Sequence, residues 1–184
     1  MRELFRAFID IALWRRGPQH LPYSVLLFIV TLVAYFAMSV AISGAFDRLS
    51  PEPDTAAAAS GGTAMKQSVF ASTSIGIAVT LAWIALLLLV VRRSPRFYQT
   101  ATAVLGAGIV IEPIVVLLPA VLVRFGAATV AGILVPLMLA WYVVAIAQII
   151  RSALDIRLLG AVLLTGGYVL CQYVITLQLM ASGS

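Results

Sequence analysis

Glu112 is the residue whose type and setting most directly imply chemistry. It lies in GIVIEPIVVLLPAVLVRFG, residues 108–126, with apolar residues on both sides and Pro113 directly after it. A charge at the middle of a bilayer costs at least ~2.5–3.5 kcal/mol, so an acid placed there faces protein or water. Three accounts of it compete. The carboxyl can be held neutral by a proton. It can pair with a cation, although Arg124, the basic residue of the same segment, is twelve positions on, about 18 Å along a helix, and would reach it only if the helix broke at Pro113 or Pro119. It can also help satisfy the backbone where Pro113, lacking an N–H, frees the carbonyl of residue 109. A structural role at a kink and a functional ion, proton or lipid site both remain open on these grounds.

Other polar residues recur at helical spacing within apolar runs. Thr31, Tyr35, Ser39 and Ser43 are each four apart; Ser72, Gly76, Thr80 and Trp83 follow one line, as do Ala101, Leu105, Gly108 and Glu112; Thr165, Tyr168, Gln172 and Thr176 make a fourth. Residues three or four apart share a helix face. Hydroxyls and amides gain little from lipid but can bond a neighbouring helix, and small residues let backbones approach. The stripes are therefore expected to point inward in a helical bundle. Glu112, Pro113, Tyr35, Thr80, Tyr168 and Gln172 form a candidate intramembrane polar site. Ala127/Ala131 and Ala128/Gly132 are small-residue pairs expected at a helix contact.

What must position these residues is set by composition. The chain of 184 residues is 62% hydrophobic and 10% charged, against roughly 25% charged in a soluble domain, so lipid is the solvent for most of its length. The fold class expected is an all-α membrane bundle. Five stretches reach the roughly 20 apolar residues that a bilayer demands: 21–43, 68–91, 101–123, 127–150 and 158–180. A flexible loop over 44–67, with Pro51, Pro53 and Gly61–Gly62, would join the first two.

The basic residues then set the orientation. With five spans, Arg2, Arg6, Arg15, Arg16, Arg92, Arg93, Arg96, Arg151 and Arg157 fall on one side and only Arg48, Lys66 and Arg124 on the other. The positive-inside rule places the first group, and the N-terminus, in the cytoplasm and the C-terminus outside. A four-span alternative folds 101–123 into a re-entrant hairpin at Pro113 and Pro119 and moves Arg151 and Arg157 outside. The first apolar run is too long for a cleavable signal and reads as a retained anchor.

Residues 1–16 are amphipathic. Glu3, Arg6 and Asp10 share one face and Leu4, Phe5, Phe8 and Ile11 the other, so residues 1–20 are expected to form an interfacial helix and entry turn with Trp14 at headgroup depth. Arg2, Arg6, Trp14, Arg15 and Arg16, with Arg92, Arg93 and Arg96 of the RRSPR turn, are candidates for contact with anionic headgroups or a partner protein. His20 lies in the entry turn.

The chain carries one cysteine, Cys171, and one histidine. These exclude an intrachain disulfide and a paired-histidine zinc motif; Cys171 is expected to be a buried structural thiol. No nucleophile–base pair or phosphate-binding glycine loop is present, so neither catalytic residues nor cofactors are expected. The arginines lie in short clusters between apolar runs, which argues against a nucleic-acid partner.

Residues 139–175, LAWYVVAIAQIIRSALDIRLLGAVLLTGGYVLCQYVI, resemble the end of a Yip1-type domain. A tryptophan-bearing fourth span leads there through a short basic turn into an alanine-, leucine- and glycine-rich last span. Trp141, Arg151, Arg157, Ala161 and Gly167 carry the likeness. The resemblance implies five spans, a cytoplasmic N-terminus and, with these short loops, a bacterial inner-membrane protein. Eukaryotic members act in vesicle traffic with small GTPases through a longer acidic, aromatic cytosolic segment; residues 1–20 do not match that segment, so GTPase binding is not carried over. The sequence favours a non-catalytic scaffold that binds lipid, other membrane proteins or a second copy of itself. The alternative is a small transporter or channel-like protein that uses Glu112 as a proton or ion site.

Overall fold

The computed structural model describes residues 24–49 and 62–182. Among these the elements are all helical: α1 (Val25–Leu49), α2 (Gly62–Val90), a 3-10 turn (Ser94–Arg96), α3 (Phe97–Arg124), α4 (Ala128–Leu154) and α5 (Leu158–Ser182). The chain is a multi-pass membrane bundle: α1 to α4 are long and apolar enough to cross a bilayer, and α5, 25 residues long, is apolar over Leu158–Gln172. The expected interfacial helix, with Arg2, Arg6, Trp14, Arg15 and Arg16, lies outside the described residues.

Local chemistry explains the ends. Ser24 caps α1, its Oγ accepting from the Leu27 N–H at 3.3 Å, which satisfies one of the orphan donors of the first turn. The helix outlasts the expected span and runs to Leu49. With α2 beginning at Gly62, the loop expected over 44–67 is shortened at both ends. At the close of α2, Arg92 takes a left-handed conformation (φ 58°), the Arg92 N–H bonds Leu89 O at 3.0 Å and the Arg93 N–H bonds Leu88 O at 2.7 Å. That pair of bonds is the Schellman termination. Gly126 (φ 82°) closes α3 in the same way, with bonds from Gly126 to Val123 O and from Ala127 to Leu122 O; here the left-handed turn suits a residue with no side chain.

The re-entrant alternative is overturned. Helix α3 is continuous over 28 residues with Pro113 and Pro119 inside it, a length of about 42 Å. Proline removes one donor but need not break a membrane helix, where lipid offers the backbone no competing partner. Glu112 therefore stays twelve residues from Arg124 and near the midpoint of the helix.

The turn after α2 and the turn after α4 lie at the same end, joined by Arg93 and Asp155 at 3.5 Å. The start of α1 is there too: Phe28 packs on Phe97 and Tyr98, ring centroids 6.1 and 5.5 Å apart. Arg92, Arg93, Arg96, Arg151 and Arg157 thus share one end of the bundle. Just inside that end is the core. Ile84 and Leu88 of α2, Ala103, Val104, Ala107 and Ile111 of α3, Ala145, Ile146, Ile149 and Ile150 of α4 and Ala161 of α5 are all buried together. The small residues of TATAVLGAG, residues 100–108, let α3 approach α1 and α4 closely, and those two pairs are the most extensive contacts in the bundle.

The opposite end holds fewer buried side chains. Ile114, Leu118, Val123, Val130, Ile133, Val135, Leu137 and Leu139 are exposed. Of the small-residue pairs expected at a helix contact, Ala131 is buried, but Ala128 and Gly132 are exposed and line an apolar groove with Phe46, Leu49, Pro119 and Val123. A Cβ on Gly132 would meet nothing within 4 Å, so that pair is not a contact within this chain. Cys171 is also exposed, not buried as expected. In lipid the outer surface of a bundle is as apolar as its core, so the burial preference of free cysteine in water does not apply.

Candidate functional site

The polar stripes converge midway along the bundle. Below the core just described, measured from the basic end, the helices part around a cavity of about 320 Å³ to which all five contribute: Tyr35 and Ser39 from α1, Thr73, Gly76, Ile77 and Thr80 from α2, Glu112 from α3, Tyr142 from α4, and Tyr168, Val169 and Gln172 from α5. Every one of these helices also supplies buried or packed residues nearer the basic end, among them Phe28, Ile84, Ala107, Ile146 and Ala161. The core therefore lies between the cavity and that end.

Two hydrogen-bonded groups line the space. In the first, Glu112 accepts from the Tyr35 hydroxyl and from Ser39, so α1 and α3 are tied at the carboxyl. Gly108, one turn before Glu112, makes this approach feasible. A Cβ there would sit 2.6 Å from Tyr35 Cε2, inside any tolerable contact, and 3.5 Å from Glu112 Oε1. The Tyr35 ring lies in the space that a side chain at 108 would occupy.

The second group ties α5 to α2. Gln172 Nε2 donates to Gly76 O at 3.0 Å and to Tyr168 Oη at 2.8 Å, and lies 3.4 Å from Thr80 Oγ1. Thr80 Oγ1 donates to Gly76 O at 2.8 Å and is 2.5 Å from Tyr168 Oη. One assignment satisfies them all: Tyr168 donates to Thr80, Thr80 to Gly76, and Gln172 to both Tyr168 and Gly76. Trp83 stacks on the Tyr168 ring from behind, centroids 4.6 Å apart. Interhelical polar bonds in membranes contribute about 0.6 kcal/mol on average and up to about 1.7. Gln172→Leu, which removes the interhelical bond to Gly76 and the α5 bond to Tyr168 while conserving bulk, should lower unfolding stability in detergent by about 1 kcal/mol; an unchanged denaturant midpoint would show that the network does not hold α5 to α2.

Tyr142 differs from its neighbours. It is half-buried in the cavity wall, and among the described residues its hydroxyl has no hydrogen-bond partner. Among the described residues, no basic side chain lines the cavity. The ion pair formed among the described residues, Arg93–Asp155, is at the end of the bundle. Glu112 is thus enclosed by hydroxyls and aromatic rings with no protein cation opposite it. The described residues also hold no cluster of three or more His, Cys, Asp or Glu.

Of the candidate residues named from sequence, Glu112, Tyr35, Thr80, Tyr168 and Gln172 meet in this cavity; Pro113 is not part of the lining. Tyr142 and Thr73 were not singled out. Tyr142 has no polar companion one turn away on its helix; Thr73, three residues before Gly76 and seven before Thr80, lies on that face of α2 but off the four-residue spacing that starts from Ser72. Not every stripe residue reaches across. Thr31 donates to Leu27 O and Ser43 to Ser39 O within α1, an in-helix alternative always open to hydroxyls. Thr165 is fully buried with its hydroxyl unpartnered among the described residues. The arginines 92, 93 and 96 lie at the basic end, away from the cavity.

No family model matches the chain, and no curated protein or solved structure is similar to it.

Proposed function

We propose that this chain is a small membrane transporter or channel-like protein that binds a monovalent cation at Glu112 and exchanges it for a proton. The observation that carries this reading is the cavity: the Glu112 carboxyl opens into a space shared by all five helices, without a cation among the described residues to neutralise it. An acid with a purely structural task at a proline-bearing helix would need only its hydrogen-bond partners, not a cavity beside it. The buried core toward the basic end and the scarcity of buried side chains beyond the cavity suit a site presented to one side of the membrane at a time. We further propose five spans with the basic end cytoplasmic, as the distribution of arginines requires, in a bacterial inner membrane, and a distant Yip1-type relationship on the likeness of residues 139–175.

The scaffold reading that the sequence favours draws on a different observation, the exposed groove beside Ala128 and Gly132, which leaves room for a second helix. The two readings separate on reconstitution. In vesicles of purified protein, a cation gradient should drive proton movement. Absence of any such flux, together with recovery of a stoichiometric partner in mild detergent, would favour the scaffold.

A further inference from the structure

We propose that the cation is organic, an ammonium bearing apolar groups, and not a metal ion; this rests on the reading of the cavity as a cation site. Charge, donor supply and lining all bear on the choice. Among the described residues the lining contains one carboxyl and no base, which fits a single positive charge. A hard metal cation takes about six oxygen ligands closed around it. Here the oxygens of Thr80, Tyr168 and Gly76 are already engaged with one another and with Gln172, and the 320 Å³ cavity is far larger than a bare ion. What the cavity offers instead is aromatic surface from three sides. Tyr35, Tyr142 and Tyr168 come from α1, α4 and α5; the rings of Tyr35 and Tyr168 are held by their hydroxyl bonds, and Trp83 also backs Tyr168. Cationic ammonium groups bind to such rings through the negative ring face, while Ile77 and Val169 accept apolar substituents. Tyr142, with its hydroxyl uncommitted, completes the wall.

Binding and release balance without covalent change. As the ammonium enters, Glu112 passes its proton to water and the carboxylate pairs with the cation; on release the proton returns. One proton therefore moves for each cation, and acid weakens binding. The groups facing Glu112 are Tyr35 and Ser39 on α1, Thr73 and Thr80 on α2, Tyr142 on α4, and Tyr168 and Gln172 on α5. None of these carries a formal charge near neutral pH.

The test is calorimetric titration of the full chain in detergent with benzyltrimethylammonium chloride, with NaCl and KCl as competitors. Saturable 1:1 binding is expected. Loss of the buried charge partner in Glu112→Gln should weaken it about thirtyfold or more. Tyr142→Leu should weaken it about tenfold, and Tyr142→Phe, which keeps the ring, by less. Excess Na⁺ or K⁺ should not displace the probe. Binding left unchanged by both Glu112→Gln and Tyr142→Leu, with the variants folded by circular dichroism, would overturn the inference as partition into the micelle. Glu112-dependent binding of Na⁺ or K⁺ without binding of the ammonium would overturn the organic class and leave the cation site standing. No Glu112-dependent binding of any of these cations, with proton flux intact in Glu112→Gln, would remove the cation site itself.

Discussion

Glu112→Gln is expected to leave the bundle folded and to reduce cation-driven proton flux in vesicles to the level of protein-free controls. The amide has the shape of the carboxyl and still accepts a hydrogen bond from Tyr35, so its effect on stability should stay within about 1 kcal/mol. It cannot, however, lose a proton or carry the negative charge to which a cation binds. Glu112→Leu is the necessary companion. It leaves the Tyr35 hydroxyl without its acceptor, and an orphaned buried polar group costs about 1–3 kcal/mol. A merely structural acid would share the penalty for Leu, but Gln would leave flux unchanged. Wild-type flux in Glu112→Gln would end the transport reading, and wild-type stability in Glu112→Leu as well would leave the residue with neither role.

The second large effect is expected at Gly108. Alanine would ordinarily gain about 1 kcal/mol over glycine in a helix. At this position its methyl would stand 2.6 Å from Tyr35 Cε2, and insertion of a methyl into a packed contact costs typically 1–3 kcal/mol. Gly108→Ala should therefore lower stability on balance, and it should impair flux by driving the Tyr35 ring off the carboxyl. The cause can be isolated. In a Tyr35→Leu background the clash is gone and the helix preference remains, so Gly108→Ala should become neutral or stabilising there. Contacting residues show this non-additivity, and distant ones do not. Additive effects of the two substitutions would mean that Tyr35 does not lie over Gly108.

How far the sequence foreshadows this site depends on the kind of signal each residue carries. Thr80, Tyr168 and Gln172 were legible because helical periodicity puts them on a common face and because lipid gives their polar groups nothing to bond. Glu112 was legible from cost alone. Tyr142 was not, since within AWYVVAIAQ it has no polar companion one turn away, and it enters the site only because α4 packs on α3 near their midpoints. The basic end followed from the arginine clusters, and the Arg93–Asp155 contact places two of those turns together. Pro113 pointed to a break that the helix does not make: the proline removes a donor, but nothing in lipid competes for the rest of the ladder. Ala128 and Gly132 read as a helix contact because small residues permit one, yet permission is not occupancy, and only the packing of α4 against its neighbours decides which small face is used. The burial of Cys171 failed for a related reason, since an apolar residue in a membrane helix can face either way.

The claim on which the rest depends is that the middle of the bundle holds a wetted space and not a dry helix contact. Spin labels placed singly at Thr73 and Val169 of the cavity lining and at Leu86 and Leu163 of the outer surface, in a chain with Cys171→Ala and reconstituted in lipid, would measure this by power-saturation EPR. Positions 73 and 169 should collide with a polar nickel chelate well above the level at 86 and 163, where oxygen dissolved in the hydrocarbon should dominate. Oxygen-dominated relaxation at all four positions would contradict the account.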